Sequence, residues 1–367
     1  TSGNDDIYSW DQTVNPYGRD KIEEYKINTL TPRRYGGTLS WLAAEGKDDE
    51  QTDGIAASEA IKKLINFANR DTPFFLAVGF FRPHTPFVAP KKYFDFYDRE
   101  KIEIPEISSN YLATLPEPAV KSIRAKKNQL NIEKELAQEI KEAYYATISF
   151  VDAQVGRILD QLEASGLDKN TVVVFTSDHG YHMGEHGHWQ KQTLFENATR
   201  IPLIISAPNS EKKGLTSISP VELIDLYPTL MDLTNINSPE NVVGKSLEPL
   251  MKNVNASVRG SALTRWRNGY SIKTKRYRLT KWGINGELGY ELYDHKNDKN
   301  ELINLASNQN YNEVMDSLKL EIEQRIADAS IKPKGLGRQF ENAKPMFKAK
   351  NITFMDIHDT NGEIIYY

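Results

Sequence analysis

The apolar runs are short and nearly continuous. "PFFLAVGFF" (73–81), "TVVVFTS" (171–177) and "IPLIISAP" (201–208) carry the mark of strands covered on both faces. Helical patterns alternate with them. In "TDGIAASEAIKKLINFANR" (52–70), Ile55, Ile61, Leu64, Ile65 and Ala68 follow helical spacing, with Asp53 as a candidate cap. Residues 133–164 carry a longer stripe of Tyr144, Ile148, Val151, Val155, Ile158, Leu159 and Leu162, and "ELIDLYPTLMDLT" (222–234) predicts a further helix. This alternation predicts an α/β fold, a mostly parallel sheet between helix layers. After about residue 260 short strands with turn signals predict a small antiparallel sheet, closed by a helix over 314–329. Residues 1–50 read as irregular, and 88–130 as a connection rich in Pro and Lys. The division that follows is an α/β domain (1–258), a C-terminal α+β subdomain (259–335) and a tail (336–367).

Composition narrows the chemistry. The 367 residues carry a net charge of −4, which gives no reason to expect nucleic acid or an anionic membrane as partner. No apolar run approaches the roughly 20 residues of a membrane span, and the opening "TSGNDD" does not read as a signal peptide. There is no cysteine, so disulfides, thiolate metal sites and cysteine nucleophiles are excluded within these residues. A metal here needs carboxylate, imidazole, amide or carbonyl ligands.

Four of the seven histidines fall between His179 and His188, in "TSDHGYHMGEHGHWQKQ" (176–192). Ligands in open α/β sheets bind beyond the carboxyl ends of strands, where Asp178 and His179 stand. That pair suits a hard or borderline divalent cation, although Asp-His-Gly after a strand also makes an ordinary turn. His84, in "RPHTPF" past the first apolar run, reads as a second strand-end group or as a loop-packing residue. Lys191 reads as a fixed charge returning to the same pocket or as a solvated lysine. Of His182, His186 and His188, one is expected to contact substrate and the others to build the loop, because the Gly-broken spacing is not that of a zinc protease helix. Together these groups suit an anionic tetrahedral ester, with a metal and cations on the oxyanions and a histidine to protonate the departing oxygen.

Four collinear stretches carry a resemblance: "PFFLAVGFFRPHTPFVAPKKYFDFY", "YYATISFVDAQVGRILDQLE", "VVVFTSDHGYHMGEHGHWQKQTLFENATRIPLII" and "ELIDLYPTLMDL". From about residue 1 to 305 the chain resembles the formylglycine-dependent type I sulfatases, and within them the iduronate-2-sulfatase-like branch. The resemblance implies an alkaline-phosphatase/sulfatase-like fold with a small C-terminal antiparallel subdomain. It implies that Asp178 and His179 complete a calcium site and that Lys191 touches sulfate. It further implies that His84 approaches the sulfate and the leaving oxygen, and that Glu185, His186 and Trp189 shape the pocket, His186 as a substrate contact. The implied substrate is a sulfated carbohydrate, such as 2-O-sulfated uronic acid in a glycosaminoglycan or the algal polysaccharide ulvan. The implied compartment is periplasmic or secreted.

Residues 1–367 depart from the family pattern at the nucleophile. The (C/S)-x-P-S-R motif that becomes formylglycine is absent, and "TLTPRR" (29–34) lacks the modified residue. The early strand ending in Asp-Asp is also absent; Asp5-Asp6 follows polar "TSGN" and reads as a surface pair. The chain is therefore expected to be a sulfatase without its N-terminal portion, that portion supplying formylglycine and acting as its partner, and to be inactive in isolation. Two rival readings are a phosphate or phosphonate ester hydrolase of the same superfamily and a non-catalytic carbohydrate-binding relative. Arg82 and Arg200 are candidate contacts for a substrate carboxylate.

Overall fold

The computed structural model describes residues 9–32, 36–108, 110–208, 210 and 213–331, and the backbone of 357–358 and 364–365. Asp5-Asp6, Arg33-Arg34 of "TLTPRR" and nearly all of the expected tail lie outside the described residues. The chain forms two compact units. The first draws its described residues from Thr1–Ile104, Asn131–Lys169 and Phe340–Tyr367, the second from Pro105–Leu130 and Asn170–Gln339.

In the first unit the expected helices are α1 (Thr52–Phe67) and α2 (Lys134–Ala164). Their buried faces are built largely of small residues: Ala57 and Ala60 with Leu64 on α1, and Ala137, Ala143 and Ala146 with Ile140 and Phe150 on α2. Short side chains let helices approach closely. Of the stripe read from the sequence Leu162 is buried, Tyr144, Val151, Val155 and Ile158 are partly buried, and Ile148 and Leu159 are exposed, so bulk alone did not mark the most buried positions. The "irregular" opening also hides a strand, β1 (Ser40–Ala44). It lies between Asn28–Thr29, antiparallel, and β2 (Phe87–Pro90), parallel, in the register Trp41↔Phe87 to Ala44↔Pro90. The run 73–81 is not the covered strand expected: it forms no ladder among the described residues, and Phe75 is exposed. Phe74 stacks on Phe67 of α1 at 4.5 Å.

In the second unit β3 (Val173–Thr176) pairs with β6 (Leu203–Ser206), the register running Val173↔Ser206 to Thr176↔Leu203. The pair is antiparallel, where apolar strands of an α/β pattern are expected to run parallel. The segment between them returns as a long hairpin and makes no crossover helix, so antiparallel pairing is the geometry open to it. Inside that hairpin lie two further short strands, β4 (His182–Met183) and β5 (Trp189–Gln190). Helix α3 (Leu226–Leu233) follows a single 3-10 turn.

The C-terminal sheet is as expected: β7 (Ala262–Trp266), β8 (Gly269–Lys273), β9 (Tyr277–Trp282) and β10 (Tyr290–Asp294), antiparallel in the order β10-β9-β8-β7. One face buries Ile272, Leu279 and Leu292 against Met315, Leu318 and Ile322 of α4 (Asn312–Ser330). The other packs Trp282 and Tyr293 on Tyr111, Ile123, Leu194 and Phe195. Alternation along the strands thus places the segment after Lys191 on a fully buried aromatic floor.

Candidate active site

Asp178 and His179 follow the end of β3. The Asp178 side chain is 82% exposed, and its Oδ1 accepts the His179 amide at 3.0 Å. His179 Nδ1 lies 2.9 Å from the Gly180 carbonyl. A carbonyl only accepts, so Nδ1 carries the proton and Nε2 presents its lone pair. That Nε2 is 3.5 Å from Asp178 Oδ2, so imidazole nitrogen and carboxylate oxygen face one point. A backbone carbonyl that fixes the outer nitrogen is the usual support of a ligating histidine. The pair therefore fits one side of a divalent cation's shell. Gly180 is required by close approach: a Cβ there would lie 2.0 Å from the Asn197 carbonyl oxygen, while its amide donates to Ala198 at 2.8 Å.

Lys191 follows β5 and is half-buried. Burial holds its ammonium below the ordinary lysine range, and the Asp178 carboxylate pulls the other way. Among the described residues the Asp178 carboxylate is thus the one charged group that acts on Lys191 from across the hairpin.

His186 is placed differently from the expected substrate contact. Its ring is 1% exposed, stacks on Phe195 at 3.9 Å and hydrogen-bonds the Tyr111 hydroxyl through Nδ1. Burial holds it down to about 4, so it is neutral near pH 7. We correct it to a packing residue of the loop. His182 and His188 are equally buried, with ring centroids 5.1 Å apart. Glu185 accepts the Met183 amide at 2.6 Å, and Trp189 is buried. Three of the four clustered histidines therefore build the hairpin, and only His179 reaches its surface.

His84 belongs to the first unit. Its Nδ1 donates to the Thr85 carbonyl at 2.6 Å, which makes Nε2 the atom through which a proton would pass to a substrate. Its loop is anchored from both sides. Asp53 accepts the amides of Phe81 and Arg82 at 2.7 and 2.8 Å. The cap of α1 is Gln51, and Asp53 is a clamp on this loop. Burial pushes the Asp53 carboxyl up, against the pull of Arg82. Arg82 itself is buried, paired with Asp20 at 2.7 Å and donating to the Val88 carbonyl at 3.0 Å. It is thereby withdrawn as a carboxylate reader, whereas Arg200 stays exposed beside Glu196.

One cluster was not foreseen. Glu196, His295 and Glu301 present ligand atoms within 4.8 Å of one another. The Arg278 guanidinium already bonds both carboxylates, with Nε 2.6 Å from Glu301 and Nη2 on Glu196. Burial alone would raise Glu301, yet Arg278 and His295 hold it down to about 2. A cation placed there would face a buried guanidinium, so the cluster is an ion-pair anchor between β9 and the segment after Lys191. "RYR" and "KNELINL" give no sequence signal of it, because its members lie up to 105 residues apart.

A family model described as "Sulfatase" matches residues 1–236, well over half of the chain. The chain belongs to the sulfatase family. A second model, "N-sulphoglucosamine sulphohydrolase, C-terminal", matches residues 184–328. A sulfatase of Formosa agariphila is 35% identical over 291 residues, covering 78% of this chain and 56% of its own. Human iduronate 2-sulfatase is 31% identical over 277 residues, covering 64% of this chain and 50% of its own. The first of these is the more similar, so the iduronate branch is one neighbour among others. This sulfatase chain spans about half the length of the curated relatives it matches. Among solved structures, a phosphonate monoester hydrolase from Silicibacter pomeroyi aligns with a TM-score of 0.69 at 23% identity, covering 77% of this chain and 61% of that one. The sulfatase/alkaline-phosphatase-like α/β fold, with its small C-terminal antiparallel sheet, is thus the one expected.

Proposed function

We propose that the protein carrying these residues is a hydrolase of sulfate esters on carbohydrates. The observation that carries this reading is Asp178-His179 at a strand end, with Lys191 in the field of the same carboxylate, in a chain of the sulfatase family. Lys191 would bind the sulfuryl oxygens as a compact positive charge. His84, held by Thr85 and by the Asp53 clamp, would pass a proton to the departing oxygen. Asp178 and His179 would hold a calcium ion, which when bound neutralises charge on the ester oxygens. The nucleophile of this reading is formylglycine, carried on an N-terminal portion outside residues 1–367 that completes the α/β domain 1–258. The subdomain 259–335 would brace the Lys191 segment. The substrate we favour is 2-O-sulfated uronic acid in a glycosaminoglycan or algal polysaccharide. The relative named iduronate 2-sulfatase supports it, and the compartment would be periplasmic or secreted.

The test uses the full gene product with an aryl sulfate, a 2-O-sulfated uronic-acid disaccharide and an aryl phosphonate. Sulfate turnover that is lost together with bound calcium in Asp178→Ala supports the proposal. Faster turnover of the phosphonate selects the rival hydrolase. Normal activity with unchanged metal content in Asp178→Ala removes the strand-end pair from the site.

A further inference from the structure

We propose that His182 is a positioning residue for Lys191, acting through the Thr193 hydroxyl. The inference rests on Lys191 being the sulfate-contacting cation proposed above. His182 is fully buried, and its Nε2 shares a 2.8 Å hydrogen bond with Thr193 Oγ1. The Thr193 amide donates to the Lys191 carbonyl at 2.9 Å, closing a three-residue turn around Gln192. The chain from buried ring to lysine backbone is therefore two hydrogen bonds long. His182 also sits opposite Gln190, the residue just before Lys191, in the β4–β5 pairing.

The ring has little freedom of its own. His186 and His188 meet it edge-on, with centroids at 5.5 and 5.1 Å. His186 is fixed by Phe195, and His188 Nδ1 donates to the Ile123 carbonyl at 2.9 Å. Gln190, just before the lysine, has φ 87°, a left-handed conformation that a non-glycine residue keeps only when its surroundings impose it. A long, flexible lysine contributes most to a transition state when its root is held, since ordering it during reaction costs rate. Burial and the neighbouring His188 and His186 rings keep His182 well below the ordinary imidazole range, against a smaller opposing effect of the Glu185 backbone. The ring therefore serves as an uncharged brace.

Thr193→Val keeps the shape and removes the hydroxyl, and Thr193→Ser keeps the hydroxyl. In the full gene product, with 4-nitrophenyl sulfate and calcium, Thr193→Val is expected to lower kcat/KM about tenfold, with Thr193→Ser within about twofold of wild type. His182→Leu should lose as much as Thr193→Val, and His182→Gln, whose amide reaches the Nε2 position, should recover part of it. In a Lys191→Ala background Thr193→Val should cost nothing further, because the residue it positions is gone. An equal loss in both backgrounds, or wild-type kinetics in folded Thr193→Val, overturns the proposal. Amide hydrogen exchange decides independently of any activity. Thr193→Val should deprotect the residue-193 amide while β7–β10 stay protected, and unchanged protection overturns the positioning role even if no sulfate ester is hydrolysed.

Discussion

Lys191 is the residue whose role is most open to a direct test. Its ammonium is half-buried, and burial holds it below the ordinary lysine range against the opposing effect of the Asp178 carboxylate. Lys191→Ala should lower kcat/KM by roughly 10²-fold. Lys191→Arg should rescue poorly, because a planar fork does not replace a point charge. Steady-state kinetics on an aryl sulfate check both, and unaltered values in the alanine variant return the lysine to the surface. Gly180 makes a purely steric prediction. An alanine Cβ at position 180 would lie 2.0 Å from the Asn197 carbonyl oxygen and force the backbone apart, so Gly180→Ala should destabilise by about 1–3 kcal/mol in urea unfolding and weaken calcium binding through displacement of Asp178. At this scale the sequence proposes Asp178, His179 and Lys191 because there residue type is itself chemistry, and the variants above test them. It failed for Arg82 and His186, because burial and partners decide whether a polar group faces ligand or protein. Asp20, Arg82's partner, lies 62 positions away.

The hairpin between β3 and β6 stores its histidines uncharged, and this has a pH consequence. The His182, His186 and His188 rings all titrate below the ordinary imidazole value of 6.5 when folded, His186 at about 4, chiefly through burial. The unfolded chain therefore binds the extra protons first. Their stabilisation is complete above about pH 6.5 and is lost as pH falls toward 4, His186 alone accounting for on the order of 3 kcal/mol. Glu291 works in the opposite sense. Burial raises its carboxyl to about 7 despite donors from Trp282 and Tyr293. Its contribution is present below its unfolded value and lost as pH rises through about 7, so on acidification it offsets part of the histidine loss. Urea unfolding at pH 7, 5.5 and 4.5 should show stability falling with acid. His186→Leu should make the fall shallower and Glu291→Gln steeper; a flat profile in wild type means the rings are not buried neutral. Among the elements, long periodic helices and the late antiparallel sheet were legible. The direction of β3 against β6 was not, because an apolar run says nothing of the neighbour's sense; nor does it guarantee two covered faces, since Phe175 and Ile204 stay exposed. Strand β1 escaped because "SWLAA" is neither alternating nor strongly apolar, its Ser40 amide bonding the Thr85 hydroxyl at 3.2 Å.

At the scale of the molecule, family membership was legible because four motifs keep their order between residues 73 and 233, whereas the division into units was not, since residues 105–130 join a unit whose main part begins at 170. The motifs fix which chemistry these residues can supply and which they cannot. On the proposed reading Asp178 and His179 would give a calcium ion two ligands, against the 6–8 that it prefers. No residue of 1–367 stands in a (C/S)-x-P-S-R motif or offers a cysteine thiol. Apolar surface is also left open in the second unit, where the cross-strand partners Phe175 and Ile204 are 39% and 61% exposed. Residues 1–367 purified alone are therefore expected to bind calcium only weakly, at millimolar rather than micromolar concentration, as suits a site short of carboxylates. They are expected to bind a hydrophobic dye through the β3–β6 face and to leave both an aryl sulfate and a sulfated uronic-acid disaccharide intact. Charging that face with Ile204→Lys should reduce dye binding without touching the strand-end pair. Titration calorimetry, dye fluorescence and a sulfate-release assay test the three expectations separately. Robust turnover by these residues alone, lost in Asp178→Ala, would mean that the chain holds a nucleophile of another kind, and the formylglycine reading would have to be given up while the Asp178-His179-Lys191 site stood.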